Sequence, residues 1–132
     1  MWIVSAVSQV GSRFPGRSES LRVLFVCSQN RLRSPTAEAI FSQYAGIEAL
    51  SAGTAREAIT PISQDLIEWA EVVFVMENYH RNKLQERFGK LLELKRLIVL
   101  RIEDEYKYMQ PELIDLLKSK VEAHLNISDL QV

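Results

Sequence analysis

The sequence predicts an α/β fold in which a four-stranded parallel sheet carries helices on both faces. Four short runs of aliphatic, β-branched and aromatic residues contain few polar positions, which is typical of strands buried on both sides of a parallel sheet. Segments with apolar residues at helical spacing follow these runs one by one. The alternation implies right-handed βαβ units, because parallel strands need a crossover connection between them.

The first strand is predicted at residues 21–27, LRVLFVC, where a cysteine closes the apolar run. Ser34 and Pro35 mark the next helix start, because serine can cap free amides and proline fits the first helical position. Apolar residues then recur on one face. The first helix should therefore span about residues 35–45 and stop near Gly46.

The second strand and helix follow directly. IEALSA at residues 47–52 predicts a strand that is closed by Gly53. TPISQDLIEWA, residues 60–70, begins with Thr60 and Pro61 and then has apolar residues at helical spacing. This pattern predicts that the second helix starts at the Thr-Pro pair.

The second half of the chain repeats the alternation twice. VVFVM at residues 72–76 predicts the third strand, and NYHRNKLQERF at 78–88 predicts a helix that lasts until Gly89. RLIVL at 96–100 predicts the fourth strand. PELIDLLKSKVEAHL at 111–125 predicts a closing helix with an apolar inner face.

Composition favours one globular domain. The chain has 132 residues, of which 47% are apolar, and this is enough to close a single core. We expect the domain at residues 21–126, a loose N-terminal extension at 1–20 and a short tail at 127–132. Sixteen basic and seventeen acidic residues give a net charge of −1, which favours neither a nucleic-acid partner nor a membrane surface.

Cysteine usage favours a cytoplasmic protein. The single cysteine, Cys27, cannot form a disulfide within the chain, and a free thiol suits a reducing compartment. Residues 1–20 have no basic segment before their apolar start and no apolar run approaching about 18 residues. We therefore interpret them as neither a signal peptide nor a membrane anchor.

The segment from Cys27 to Ser34 lies where open α/β sheets bind ligands, between a strand and a helix start. Its amides and the free N–H groups of the helix can bind a tetrahedral oxyanion. The same positive field favours a thiolate at Cys27, which is a nucleophile toward phosphorus. Arg33 supplies a two-pronged donor for phosphate oxygens, Ser34 can hydrogen-bond the thiolate, and Asn30 tolerates a left-handed backbone.

The spacing C-x5-R-S lets the loop wrap once around a phosphate and return the arginine to the side opposite the sulfur. After a buried strand and before a Ser-Pro pair, this pattern predicts a cysteine-dependent phosphate site. The residues expected to form its phosphate cradle are Ser28, Gln29, Asn30, Arg31, Leu32, Arg33 and Ser34.

The stretches VLFVCSQNRLRSPTAEAIF, LSAGT, WAEVVFVME and YMQPELIDLL resemble the low-molecular-weight protein tyrosine phosphatases, and more closely a short bacterial subgroup called predicted tyrosine phosphatases. The resemblance covers about residues 21–125. It implies that Cys27 forms a phosphocysteine, that Arg33 clamps the phosphate, that Ser34 is the thiolate partner and that Asn30 stabilises the loop. It also implies the strand order 2-1-3-4.

The resemblance also implies which residue is the general acid. Longer family members use an aspartate in an Asp-Pro-Tyr sequence near the C-terminus, and this chain has RIEDEYKYMQPEL there. Asp104 precedes Tyr106 by the same two places and follows a strand on the functional side of the sheet. Glu103 and Glu105 remain alternatives for this role.

Two further departures from the longer relatives concern the surroundings of the site. Leu32 stands where they often carry a second cysteine, so an oxidised Cys27 has no resolving thiol in the chain. Only AREAI, residues 55–59, occupies a connection that is long and aromatic in those relatives, which implies an open, shallow cleft. Tyr106 and Tyr108 are the predicted substrate wall for an aryl phosphate.

Other polar residues receive a structural interpretation. His80 and His124 have no cysteine or carboxylate neighbours at ligand spacing, so no metal site is expected. Glu77, at the end of the third strand, is expected to shape the sheet edge. Residues 80–101 carry a net charge of +5 and residues 102–132 a net charge of −4, which indicates two oppositely charged solvent faces or a docking patch.

The sequence therefore predicts a cysteine phosphatase that hydrolyses phosphomonoesters without a cofactor or a metal. The expected substrates are a phosphorylated protein, tyrosine phosphate being favoured, or a small aryl phosphate. One alternative is a phosphate-recognition module that binds a phosphoprotein or nucleotide with little turnover. Another is a phosphocysteine carrier, which would not need Arg33.

Overall fold

Four parallel strands form one sheet in which the second strand of the chain lies at the edge beside the first, followed by the third and the fourth, which confirms the predicted fold class and strand order. The computed structural model describes residues 20–125, so the predicted extension (apart from Ser20) and the predicted tail lie outside the described residues. The strands are β1 (Leu21–Cys27), β2 (Ile47–Gly53), β3 (Val72–Val75) and β4 (Arg96–Val99).

Helices follow each strand, and four are present among residues 20–125: α1 (Arg33–Phe41), α2 (Gln64–Trp69), α3 (Asn78–Leu92) and α4 (Pro111–His124). None of these helices is long and apolar enough to cross a bilayer. Helix α3 continues past Gly89, where its end was predicted, although Phe88 has non-helical backbone angles. The predicted strands and helices are thus all present, and the differences concern where helices begin and end.

Two predicted helix starts are wrong. Helix α1 begins at Arg33 with Leu32 as its N-cap residue, and no side chain caps it. The predicted cap, Ser34, lies inside the first turn, and its hydroxyl contacts the Cys27 sulfur instead. The hydroxyl is therefore used for the loop rather than for the helix end.

The second error concerns α2. This helix starts at Gln64, not at the Thr-Pro pair, and Ser63 caps it by accepting a hydrogen bond from the Leu66 amide. Pro61 instead forms an isolated parallel bridge with Gly53. The chain therefore stays extended along the end of β2 before it turns into the helix.

The sheet is covered on both faces because its central strands alternate between two cores. Phe25 of β1 stacks on Phe41 of α1 and on Phe74 of β3, with ring centroids 5.5 Å apart in each pair. Helix α4 completes this side, whereas α2 and α3 cover the other. Burial of these apolar side chains is the main stabilising contribution to the fold.

All four strands are parallel, so their carboxyl ends lie at one edge of the sheet. Cys27 ends the central strand β1 and pairs in register with Gly53, the last residue of β2. The segments after β1, β3 and β4 meet at this edge. It is therefore the place where side chains from distant parts of the sequence can form one site.

Candidate functional site

The loop between β1 and α1 presents amides rather than carbonyls to its interior. The carbonyl oxygens of Cys27, Ser28 and Gln29 accept hydrogen bonds from the amides of residues 54, 55 and 59 in the neighbouring connection. The amides of residues 28–32 have no protein acceptor within residues 20–125. These amides and the first-turn amides of α1 are therefore the donors available to an oxyanion.

The close approach of this loop to β2 requires the glycine at position 53. A Cβ atom on Gly53 would lie 2.4 Å from the Ser28 carbonyl oxygen and 2.5 Å from the Ala58 Cβ atom. Real Cβ atoms essentially never approach other heavy atoms so closely. Gly53 therefore allows the loop to be held against the end of β2.

Asn30 holds the centre of the loop. Its φ angle is 58°, in the left-handed region, and its side chain is buried. The Asn30 Nδ2 atom donates to Ser34 Oγ at 2.9 Å and to Ser51 Oγ at 3.0 Å, and Oδ1 accepts from the Thr60 amide at 3.1 Å. The side chain thus ties the loop to β2, to the start of α1 and to the connection before α2.

The Cys27 sulfur lies 2.9 Å from the Ser34 hydroxyl oxygen, and both residues are buried. Because Asn30 Nδ2 donates to this oxygen, it occupies one of its two acceptor positions. The alternative acceptor for the hydroxyl proton, the Ala52 carbonyl oxygen, is 3.4 Å away. The shorter contact directs the Ser34 proton toward the sulfur, where it can stabilise a thiolate.

Arg33 is 3% exposed and is held from one side of its guanidinium. The Nη1 atom donates to the Ile102 carbonyl oxygen at 2.7 Å and lies 3.2 Å from Glu77 Oε2. The Nε atom lies 3.7 Å from Asp104 Oδ1, and Nη2 has no protein partner in the part of the chain that the structure describes. Nη2 is therefore the guanidinium nitrogen left for a phosphoryl oxygen, and Nε, beside Asp104, can donate to a second one.

A cavity of about 80 Å³ lies over the sulfur. Because one water molecule takes about 30 Å³ of liquid volume, this space has the scale of a single phosphoryl group. Its lining comprises Cys27, Ser28, Gln29, Arg31, Leu32, Arg33 and Asp104. The structure thus brings the predicted nucleophile, the predicted clamp and the predicted acid to one space, with Asn30 and Ser34 as the buried support behind it.

The other candidates near the C-terminal half lie elsewhere. Asp104 is the acidic residue of its run that lines the cavity, whereas Glu103 and Glu105 are exposed and do not line it. Tyr106 packs against the core of the α1 and α4 side, and Tyr108 is 53% exposed. Neither tyrosine lines the cavity.

Sequence reasoning missed two residues of this region, Glu77 and His80. Glu77 is the N-cap of α3, and its carboxylate holds Arg33. His80 is completely buried, and its Nε2 atom lies 2.8 Å from Ser28 Oγ. Their signal was present: Glu77-x-x-His80 starts a helix directly after β3, and therefore at the edge of the sheet where Cys27 lies.

His80 is neutral in this position. Its Nδ1 atom accepts a hydrogen bond from the Glu77 amide at 3.1 Å. Burial, followed by the nearby Arg33 charge, lowers the pKa of His80 from 6.5 to about 4, although Asp104 acts in the opposite direction. A neutral imidazole is therefore expected at any pH well above 4.

Comparison with known proteins agrees with this geometry. Residues 22–75 match the family model described as low molecular weight phosphotyrosine protein phosphatase. This match includes the whole loop from Cys27 to Ser34. No curated protein matches the chain significantly.

Solved structures share the fold. The YwlE arginine phosphatase from Geobacillus stearothermophilus is 23% identical, with a TM-score of 0.65 over 83% of this chain and 96% of that chain. A low molecular weight protein tyrosine phosphatase from T. tengcongensis is 24% identical, with a TM-score of 0.63 over 80% and 100%. Vibrio vulnificus Wzb, solved with benzylphosphonate, is 18% identical, with a TM-score of 0.65 over 80% and 97%.

Proposed function

We propose that this chain is a member of the low molecular weight phosphotyrosine protein phosphatase family, whose model matches residues 22–75, and that it hydrolyses phosphomonoesters through a phosphocysteine on Cys27. One observation carries the proposal. The Cys27 sulfur lies 2.9 Å from the Ser34 hydroxyl oxygen at the floor of a phosphoryl-sized cavity, and the Arg33 guanidinium lines the same cavity. A buried cysteine that only filled the core would need neither neighbour.

The first step transfers the phosphoryl group to sulfur. The Cys27 thiolate attacks phosphorus, a P–S bond forms, and the bond from phosphorus to the ester oxygen breaks. The loop amides and Arg33 stabilise the negative charge on the equatorial oxygens. Asp104, whose side chain is 65% exposed at the rim, donates a proton to the departing oxygen.

The second step restores the enzyme. Asp104, now a carboxylate, accepts a proton from a water molecule that attacks phosphorus on the side opposite the sulfur. The P–S bond breaks, inorganic phosphate is released, and the thiolate is formed again. The Ser34 hydroxyl, which lies 2.9 Å from the sulfur, stabilises the thiolate as it leaves by donating a hydrogen bond to it.

Phosphotyrosine in a protein, or a small aryl phosphate, is the proposed substrate class. Solved structures of this fold include both arginine and tyrosine phosphatases. Arg31 lines the cavity and disfavours the positively charged guanidinium of phosphoarginine, whereas Leu32 is 38% exposed there and offers apolar surface for a ring. The lone cysteine supports a cytoplasmic location for this activity.

Hydrolysis of 4-nitrophenyl phosphate at mildly acidic pH tests the proposal. We expect turnover by the wild type and complete loss in Cys27→Ser. Phosphate binding without turnover would instead favour a phosphate-recognition module. If the protein becomes phosphorylated on Cys27 and this phosphocysteine is not hydrolysed, the result would favour a phosphocysteine carrier.

Competition between a phosphotyrosine peptide and a phosphoarginine peptide tests the substrate class. We expect the larger kcat/KM for phosphotyrosine. Arg31→Ala should reduce the difference in kcat/KM between the two peptides, because it removes the positive charge from the cavity wall. A higher kcat/KM for phosphoarginine in the wild type would reject the proposed class.

A further inference from the structure

Ser28, the residue directly after the nucleophile, is hydrogen-bonded to a histidine from another part of the sheet edge. The Ser28 Oγ atom lies 2.8 Å from His80 Nε2, across 52 positions of sequence. Ser28 lines the cavity, and His80 is fully buried behind it. Within residues 20–125, the Ser28 hydroxyl has no other protein partner.

The hydrogen-bond pattern assigns the protons of this pair. A backbone amide can only donate, so the bond from the Glu77 amide to His80 Nδ1 leaves that nitrogen without a proton. The proton of the neutral ring is then on Nε2, which donates to Ser28 Oγ. The Ser28 hydroxyl proton is consequently free to be donated to something else.

The same assignment excludes a serine nucleophile. In a serine hydrolase the histidine accepts the serine proton, which requires an unprotonated Nε2 atom. Here the Nε2 atom of His80 carries the proton, so the ring cannot act as a base toward Ser28. The pair is a donor to the cavity and not a second catalytic dyad.

We propose that the Ser28 hydroxyl is an additional ligand of the phosphoryl group and that His80 is the positioning residue that directs its proton into the cavity. This inference rests on the proposed function, because it adds a side-chain donor to the amides and Arg33 of the same site. The low pKa of His80 supports it, since a neutral ring keeps one fixed donor direction.

The start of α3 then contacts the phosphate loop at both of its ends, at Ser28 and at Arg33. Glu77 and His80 form a capping box, in which each side chain accepts a hydrogen bond from the backbone amide of the other. The Glu77 carboxylate also holds Arg33 Nη1 at 3.2 Å, and His80 holds Ser28. One rigid helix end therefore orients two of the donors that face the phosphoryl group.

Inorganic phosphate is the probe for the test, and its affinity is measured by calorimetry. We expect Ser28→Ala and His80→Phe each to weaken phosphate binding roughly tenfold, the scale of one hydrogen bond to a charged group. The double variant should bind no more weakly than either single variant, because both changes remove the same donor. Ser28→Thr keeps the hydroxyl and should bind phosphate as the wild type does.

Nitrogen NMR gives a second test, because it reports the tautomer of His80, which a purely structural role would not require. We expect His80 to show a protonated Nε2 atom and an unprotonated Nδ1 atom, with the exposed ring of His124 as the internal comparison. Binding of phosphate should leave this tautomer unchanged. If His80→Phe does not fold, the Ser28→Ala affinity and the NMR tautomer decide the question.

Equal phosphate affinity in Ser28→Ala and the wild type would overturn the inference, as would an unprotonated His80 Nε2 atom. Turnover of 4-nitrophenyl phosphate by the wild type reports separately on the proposed function. A wild type that binds phosphate without turnover rejects the phosphatase but leaves the Ser28 comparison valid. If the wild type neither binds phosphate nor hydrolyses 4-nitrophenyl phosphate, both the proposed function and the role of Ser28 are rejected.

Discussion

The Cys27 sulfur and the Ser34 hydroxyl oxygen are 2.9 Å apart, and the Asn30 amide donates a hydrogen bond to the same oxygen at 2.9 Å. The nucleophile is thus supported by a chain of hydrogen-bonded side chains rather than by one contact. Beyond Asn30 the chain continues to Ser51, which donates to the Glu38 carboxylate. Each link is buried or half-buried, so its removal leaves a polar group without a partner.

Replacement of Ser34 by alanine should slow the release of sulfur from phosphorus. A hydrogen bond to a charged group contributes roughly 1.5–3 kcal/mol, so we expect kcat to fall about tenfold to hundredfold. The phosphoenzyme should accumulate, which rapid quenching with radiolabelled substrate would detect. Ser42→Ala, an exposed serine at the end of the same helix, is the matched control and should behave as the wild type.

Replacement of Asp104 by asparagine should reduce turnover more for substrates with a poor leaving group than for substrates with a good one. General acid catalysis contributes roughly a hundredfold or more, so turnover of phenyl phosphate should fall about hundredfold and that of 4-nitrophenyl phosphate far less. Vanadate inhibition should hardly change, because the amides and Arg33 remain. Glu105→Gln and Glu103→Gln are the controls, and a comparable loss in either of them would transfer the acid role to that residue.

The sequence predicted the strands well because each one is a short apolar run that is buried on two sides. It also predicted that Cys27 and Arg33 lie at one site, and both line the same cavity, since their loop is contiguous in sequence. The start of α2 was missed because Pro61 forms a bridge with Gly53, a contact between strand ends that no local pattern encodes. His80 was missed for a similar reason: its partner Ser28 is 52 residues away.

Asn30 combines two roles that substitutions can separate. Asn30→Ala and Asn30→Gly both remove the amide that directs Ser34, so both should reduce kcat to a similar extent. Alanine also has to adopt the left-handed backbone, and we expect it to be less stable than the glycine variant by about 1 kcal/mol. Urea unfolding and steady-state kinetics on the two variants test this, and equal stabilities would argue against backbone strain at this position.

Two glycines offer a direct comparison of packing at the loop with packing elsewhere. Gly53→Ala places a Cβ atom within 2.5 Å of the loop and should both destabilise the protein, by about 1–3 kcal/mol, and reduce activity. In Gly89→Ala the added Cβ atom has no other heavy atom within 4 Å, so this variant should keep its activity. Thermal unfolding and hydrolysis of 4-nitrophenyl phosphate check both variants, and full activity in Gly53→Ala would show that the loop can shift without cost.

His80 should make stability dependent on pH in a defined window. Its pKa is about 4 in the folded protein and near 6.5 when unfolded, so the unfolded chain binds more protons between these values. The free energy of unfolding should therefore decrease as pH falls from 6.5 toward 4, by up to about 3 kcal/mol from this group. His80→Gln should flatten the dependence over that window.

The measurement is urea unfolding at several pH values without phosphate, because a bound anion would stabilise the folded state. His124→Gln is the control, since His124 is an exposed residue. Carboxylates contribute to acid unfolding in every variant, so the difference in slope between wild type and His80→Gln isolates the imidazole. An identical slope in these two proteins would mean that folding does not lower the pKa of His80, which would contradict the shift expected from its burial.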